Sequence, residues 1–517
     1  MAILKLAAEP PPQRTGFMLK KRLLRIVIAV VVFLASFSVL LARDGRVRRV
    51  LPFHREHTTP DNYQFTSTSR FSPTTVDDAA TASNKELCAS FPKYMLNVVQ
   101  PVLKVGHSEN QERLAAHFNT TSSCFTKDEL LVVSDLDEVV HGHRAVDILG
   151  DLPASYYDLH KNRDFQSYLL QKEMRKNGTL NEQTQGTIDG WILDKYKFLP
   201  MVERAWLERP GKAFYFFYEP DTYVFWDNAF RFLQSFDPDT PIYMGSPSPG
   251  KHDESRDVKT WFANGGPGIV LSRGAIKALL HRRVDPNGHY VDPPLTEKWQ
   301  DLVSGECCGD SVLGWALWNV TVQVQGYWPM FNPHPLHGIP FSDLYWCQPV
   351  LTLHKTSPQD MHSLWRWEFS QRTLHRPMVY ADVWCLQHPG EPSVLENWDN
   401  GDWDRWDPPA EAPVNTFETC EQYCRRQDRC VQWTWRGGDE KKCILMSSIR
   451  YGTARTPAFM DDGDKRETIP QEALGKKTNR KWVDYKSGWV ETRIKEWRDQ
   501  RKCQQVHWVG PSVSRIF

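Results

Sequence analysis

The segment FYFFYEPDTYVFWDN, Phe214 to Asn228, constrains the fold more than any other stretch of the chain. Its first half is an uninterrupted aromatic run. A strand with one wet face alternates apolar and polar residues, whereas a continuous run marks a strand buried on both faces, as in the middle of a helix-covered parallel sheet. This run ends in Glu219 and Asp221, with Pro220 between them. In open α/β sheets, ligands bind beyond the carboxyl ends of the strands. A carboxylate at such a place is costly unless water, a counter-charge or a metal ion meets it.

The flanking sequence fits the same architecture. YMLNVVQPVLKV and ELLVVSDLDEVV are strand-like runs that end in polar turns, and FLPMVERAWLERP carries Leu199, Val202 and Trp206 near helical spacing. Alternation of this kind from Cys88 to about His375 predicts an α/β domain with a mostly parallel central sheet. Asp135-Leu136-Asp137 forms a second acidic cluster at a strand end. Asp237-Pro238-Asp239 and Asp402-Trp403-Asp404 share the acid-x-acid pattern but sit in Pro- or Trp-rich loops with no buried strand before them.

The 517 residues exceed one ordinary core and predict two or three domains, at roughly 100–200 residues each. The 63 basic and 63 acidic residues balance, so no global field points to nucleic acid. Residues 1–22 read as a cytosolic tail and residues 23–42 as a transmembrane signal anchor, uncharged from Ile26 to Ala42. Arginines on both flanks make its orientation signal weak, and a cleaved signal peptide is the alternative. Residues 43–85, rich in Thr, Ser and Pro, read as a stem.

Eleven cysteines and sequons at Asn119, Asn177 and Asn319 suit an oxidising, lumenal compartment. The odd count leaves a thiol unpaired or joined to another chain. Order along the chain pairs Cys88 with Cys124, Cys307 or Cys308 with Cys347, and Cys385 with Cys503. Cys420, Cys424, Cys430 and Cys443 form two bridges of open connectivity. Neighbours Cys307 and Cys308 are not expected to bond each other, given the strain required.

Further segments carry possible chemistry. TWFANGGPGIVLSRGA, Thr260 to Ala275, reads as a Gly-rich turn before a strand-to-helix transition, where missing side chains let backbone approach a ligand. GECCGDSVLGWAL puts Asp310 at the start of a helix, as a reactive acid or simply an N-cap. PVLTLHKTSP ends an apolar run in His354, a ligand or a structural histidine.

In this order, EPDTYV, FANGGPG, GDSVLG and LTLHK resemble the acidic, Gly-rich, EDV-type and late-His motifs of the inverting β1,3-glycosyltransferases of the Fringe and core-1 β1,3-galactosyltransferase superfamily, glycosyltransferase family 31, in the branch found in filamentous fungi. LLVVSDLDEVVHGHRAVDIL and GWILDKYKFLPMV resemble the blocks that precede the acidic motif. The likeness covers roughly residues 88–375. It implies a GT-A-like nucleotide-sugar-binding domain over residues 86–381 and transfer of a sugar, galactose by the nearest branch, from a UDP-sugar to a glycan or glycoprotein acceptor in β1,3 linkage. It implies Mn²⁺, with Mg²⁺ the other oxygen-loving option, held by Asp221 and His354. Asp135, Glu219, Gly265 and Gly266 would line the nucleotide sugar, and Asp310 would be the base. Pro220 and Gly309 stand where the family carries acids, which raises the alternative of a weak or inactive transferase that binds glycan or protein.

Residues 382–517 change character. The segment FETCEQYCRRQDRCVQWTWRGGDEKKCIL resembles a PAN/Apple module, which implies a protein or carbohydrate partner or a structural cap on the catalytic domain. The resemblance as a whole implies a single-pass type II protein of the Golgi membrane with a lumenal catalytic domain.

Overall fold

The aromatic run forms β5 (Phe214–Tyr218), and all of its side chains are buried. Phe214, Phe216 and Tyr218 enter one hydrophobic core, and Tyr215 and Phe217 enter a second on the opposite face of the sheet. Each fully buried apolar side chain of this size contributes roughly 1.5–3 kcal/mol. The strand therefore helps fix both layers of the domain.

A computed structural model of the chain describes residues 81–181, 183–371, 377–387, 394–401, 404–461, 480–503, 506 and 508–516. The cytosolic tail expected at 1–22, the anchor at 23–42 and nearly all of the stem at 43–85 lie outside the described residues. Among the described residues, no helix is long and apolar enough to cross a membrane.

The strands are β1 (Val99–Lys104), β2 (Leu131–Ser134), β3 (Glu138–Val140), β4 (His143–Asp147), β5, β6 (Tyr223–Val224), β7 (Tyr243–Asp253), β8 (Val258–Ser272), β9 (Val324–Gly326), β10 (Phe331–Asn332) and β11 (Thr352–Leu353). The large sheet has the order β3-β4-β2-β1-β5-β8-β7-β9. Neighbours from β4 through β2 and β1 to β5 are parallel, as expected. β8 is antiparallel to both β5 and β7, which makes the sheet mixed. The Gly-Gly-Pro-Gly segment is not the turn that its composition suggests: it lies inside β8. β7 changes register against it between Gly245 and Ser246. Glycines in a strand commonly mark such an irregularity.

A small sheet, β10-β11-β6, sits beside the acidic end of β5. β11 runs antiparallel to β6, pairing Leu353 with Tyr223. That pairing carries a late segment of the chain back to the turn after β5.

The tail holds a second antiparallel sheet, in the order Val394–Glu396, Tyr485–Trp489, Gln432–Arg436, Lys442–Met446, Arg405–Trp406. The helix Phe417–Arg426 packs on it, joined to the sheet by Cys420–Cys443 and to the segment that follows the helix by Cys424–Cys430. Phe417, Trp433 and Leu445 fill the small core between helix and sheet. The tail also contributes Ile449, Trp489, Ile494 and Trp508 to the core shared with Phe216. Trp508 stacks on Phe232 at 5.5 Å, and the Ser512 N–H donates to the Gly326 carbonyl at 2.8 Å.

Cys88 pairs with Cys124 as the sequence suggests. The other long-range pairings differ. Cys347 bonds Cys503, and Cys307 bonds its neighbour Cys308. The reason lies in the layers: Cys347 and Cys503 pack against one core, whereas the helix after Cys308 packs in the core across the sheet. Cys385 is a free, exposed thiol.

Candidate functional site

β1 and β5 are parallel neighbours, so their carboxyl ends emerge side by side. Lys104 closes β1, and Glu219 follows β5. Their charged ends meet at 3.0 Å. Lys104 also pairs with Asp194, which the helix Gly190–Asp194 supplies. Burial alone would lower the Lys104 pKa, but Asp194 and Glu219 more than reverse this and raise it. The lysine is therefore a permanent cation beneath the acidic turn.

The turn itself is Glu219-Pro220-Asp221-Thr222. The Thr222 N–H donates to the Glu219 carbonyl at 3.0 Å, and the Thr222 hydroxyl donates to the Gly266 carbonyl at 2.6 Å. Pro220 contributes its carbonyl oxygen, which lies 3.0 Å from Nδ1 of buried His117. His117 Nε2 lies 2.8 Å from the Ser122 hydroxyl, which in turn meets the Tyr218 hydroxyl at 3.0 Å. Burial pushes the His117 pKa down to about 3, so the ring is neutral at ordinary pH. A neutral ring that donates from Nδ1 to Pro220 accepts at Nε2 from Ser122. The turn is thus fixed from below without any charged side chain at position 220.

β11 delivers His354 to the same place. The His354 N–H donates to the Asn332 carbonyl at 3.0 Å, and the Thr356 N–H donates to the Asp221 carbonyl at 2.9 Å. His354 Nε2 lies 3.5 Å from Asp221 Oδ1 and 4.0 Å from Glu219 Oε2. One ligand atom from each of the three residues lies within 4.8 Å of the others. Two carboxylates and an imidazole suit a divalent ion such as Mn²⁺, and the carboxylates also suit Mg²⁺. Gly266 preserves the space, because a Cβ there would collide with the His354 ring.

Asp310 stands at the other side of the glycine pair. It is the second residue of the helix Gly309–Asn319. The Gly265 N–H donates to its Oδ2 and the Ser311 N–H to its Oδ1, both at 2.8 Å. Burial raises its pKa against the opposing pull of these two N–H groups. Gly309 has a steric reason to be glycine. A Cβ there would meet the Lys195 carbonyl oxygen and the Phe198 ring. The approach to Asp310 is tethered by Lys195, whose Nζ donates to the carbonyls of Ser304 at 3.1 Å and Glu306 at 3.0 Å.

Glu219, Asp221, Gly265, Gly266, Asp310 and His354 are therefore gathered into one place. Asp135 sits apart, below the surface. Its Oδ2 pairs with Lys197 at 2.7 Å, and both side chains are almost wholly buried. Its Oδ1 accepts from the His107 N–H at 2.9 Å and from Gln171 at 3.1 Å. Burial would raise the Asp135 pKa, but Lys197 and these donors hold it below the usual carboxylate value.

Lys104 and His117 escape a motif-based reading, and Asp194 and Thr222 lie within the quoted blocks without being singled out. A lysine closing an apolar run, as in NVVQPVLK, is the one available signal among them. The partners come from remote segments, which sequence does not juxtapose.

Residues 193–308 match the family model described as Fringe-like. No curated protein matches the chain. The matched span includes Lys195, the acidic turn and the Gly265–Gly266 pair, and it supports a glycosyltransferase of the family-31 type.

Proposed function

We propose that the protein is an inverting, Mn²⁺-dependent glycosyltransferase that moves a sugar, galactose in its nearest likeness, from a UDP-sugar to a glycan hydroxyl in β1,3 linkage. The observation that carries this reading is the convergence of Glu219, Asp221 and His354 beside Asp310, at the carboxyl end of the central strand. Asp221 and His354 hold the ion, and Glu219 meets it directly or through water. A bound divalent ion offsets charge on the leaving diphosphate.

The chain's own residues supply the rest. Asp310 accepts the proton of the acceptor hydroxyl, with both of its oxygens aimed by backbone N–H groups. The acceptor oxygen bonds the anomeric carbon as the bond to UDP breaks, and that electron pair leaves on the diphosphate. Attack from the face opposite UDP turns an α-linked donor into a β-linked product, with no covalent enzyme intermediate. Gly265 and Gly266 keep side chains out of the space between the base and the ion site. Asp135, paired with Lys197, assists nucleotide binding.

The same reading makes the chain a single-pass type II protein of the Golgi membrane with a lumenal transferase domain. The disulfides and the exposed asparagines of the three sequons, Asn119, Asn177 and Asn319, support that address. The tail fits a PAN/Apple-like module in having a disulfide-joined helix on an antiparallel sheet.

The test is UDP release by the full chain, with a panel of UDP-sugars, acceptors that include O-linked GalNAc, and Mn²⁺ with or without chelator. Acceptor-stimulated release that vanishes with chelator and in Asp221→Ala is the expected result. Mn²⁺-dependent UDP binding without turnover of any donor would favour the binding-protein reading, to which Pro220 and Gly309 lend support.

A further inference from the structure

A cavity of about 400 Å³ lies at the opposite ends of the two helices that frame the acidic site. The helix Phe198–Glu208 starts beside Gly265, where an added Cβ would lie 2.9 Å from the Phe198 ring. The helix Gly309–Asn319 starts at Asp310. Trp206 and Leu207 near the end of the first helix, and Ala316 and Val320 near the end of the second, line the cavity. The first lining residues on the two helices, Glu203 and Ala316, follow Phe198 and Asp310 by five and six residues, so at about 1.5 Å per residue roughly 8–9 Å of helix separates the two places.

The lining combines ring faces with polar groups. Trp206, Tyr290 and Trp299 supply the rings, and Glu203, Arg282 and Lys298 supply hydrogen-bonding charge. The Arg282 guanidinium lies 3.8 Å from the centre of the Tyr290 ring, and its Nε donates to the Asp292 carbonyl at 2.8 Å. The Lys298 ammonium lies 5.3 Å from the centre of a Trp299 ring. The Asp292 carboxylate is already paired with Arg283 at 2.6 Å, which leaves Glu203, Arg282 and Lys298 as a mixed set of charges facing the cavity. Its volume falls in the range of small-molecule sites, roughly 300–1,000 Å³.

Glu203 and Leu207 also line an adjoining cavity of about 140 Å³, with Arg204 and Thr296. Glu203 and Leu207, one helical turn apart, form the ridge that the two hollows share. Tyr290 is 64% exposed and Leu207 74% exposed at the rim. Aromatic faces with interspersed hydroxyl-binding groups, in two adjoining hollows, match the chemistry of a sugar chain. Its C–H faces lie on rings, and its hydroxyls bond carboxylates and cations.

We propose that the larger cavity binds a neutral oligosaccharide longer than a single sugar, resting on Trp206, Tyr290 and Trp299 and hydrogen-bonded by Glu203 and Lys298. The cavity is a binding subsite separate from the acid cluster. It gives the protein a hold on a glycan independent of the residue being modified.

The test titrates the full chain with neutral gluco-, galacto- and manno-oligosaccharides of increasing length, read by calorimetry and Trp fluorescence. Saturable binding that strengthens with length in at least one series is expected. Tyr290→Ala, at an exposed rim position, should weaken it about tenfold or more. Trp299→Ala should abolish it. Both variants should keep Mn²⁺-dependent UDP binding, which shows that they are folded. Asp221→Ala should bind the oligosaccharide normally. The proposal is overturned by no saturable binding in any series, by equal binding in Tyr290→Ala and Trp299→Ala, or by loss of binding in Asp221→Ala. Turnover without cavity binding, or cavity binding without turnover, separates this claim from the proposed reaction.

Discussion

Two acid-x-acid triplets follow strands of the same sheet with β1 between them, yet they meet different partners. Asp135-Leu136-Asp137 follows β2, and Glu219-Pro220-Asp221 follows β5. Asp135 is 1% exposed and fully engaged by Lys197, His107 and Gln171. Glu219 and Asp221 stay partly open and converge on His354, with Lys104 reaching only Glu219. The difference does not lie in the acids but in what remote segments bring to them. A buried cation that matches an acid in number and geometry makes a structural joint. An acid pair that faces a histidine, with too few cations to satisfy it, is left with capacity for a ligand.

The largest expected effect separates the site from its support. Asp310→Asn should lower turnover by about 10²–10⁴-fold, the usual contribution of a general base, while Mn²⁺-dependent UDP binding persists. Steady-state assays beside a nucleotide-binding titration check this. Loss of both together would make Asp310 a structural residue of the first helical turn. The raised Asp310 pKa also sets a sign. The basic form is lost as pH falls, so the acidic limb of the rate profile should lie above the ordinary aspartate range.

The next prediction concerns the other triplet. Lys197→Met leaves Asp135 buried without its cation and should cost about 3–5 kcal/mol in urea unfolding. Adding Asp135→Asn should restore much of that loss. A Lys197→Met protein of unchanged stability would break the contrast from the structural side.

A smaller effect is expected at Gly309. Gly309→Ala pushes a methyl group against the Lys195 carbonyl and the Phe198 ring, at a cost of roughly 1–3 kcal/mol. Full stability in that variant would mean that the glycine is not there for want of space.

The last prediction is a pH dependence, which is small per unit near neutral pH and accumulates toward acid. His117 in the folded chain resists protonation down to about 3, against an ordinary value of 6.5. Its contribution is complete above pH 6.5 and shrinks as pH falls toward 3, because the unfolded chain takes up a proton that the folded chain refuses. Stability should drop by about 1.4 kcal/mol per pH unit from this source. Urea unfolding of His117→Gln should show that slope removed.

Much of this was legible in the residues. The run Phe214–Tyr218 marks a strand buried on both faces, and its end marks where the candidate acidic residues gather. Asp221, His354, Gly265, Gly266 and Asp310 were each visible as motif positions. The β8 strand was misread because glycine and proline signal turns locally, while pairing to β5 and β7 holds the segment extended. The cysteines near the start of the domain and within the tail helix were paired or grouped by proximity. Cys347–Cys503 was not, because it depends on the tail folding back onto the first core. The partners of Lys104 and Lys197 are not legible in the sequence, for a related reason. Lysine is usually a surface residue, and only the assembled sheet shows these two under the acids.

The most direct measurement is Mn²⁺ binding by the full chain, followed by electron paramagnetic resonance with UDP present. One Mn²⁺ should bind to the wild type and to Asp135→Asn, and binding should be lost in Asp221→Ala and in His354→Ala. Undiminished binding in Asp221→Ala and His354→Ala, or loss in Asp135→Asn with the fold intact, would contradict the assignment of the metal to the open acidic turn.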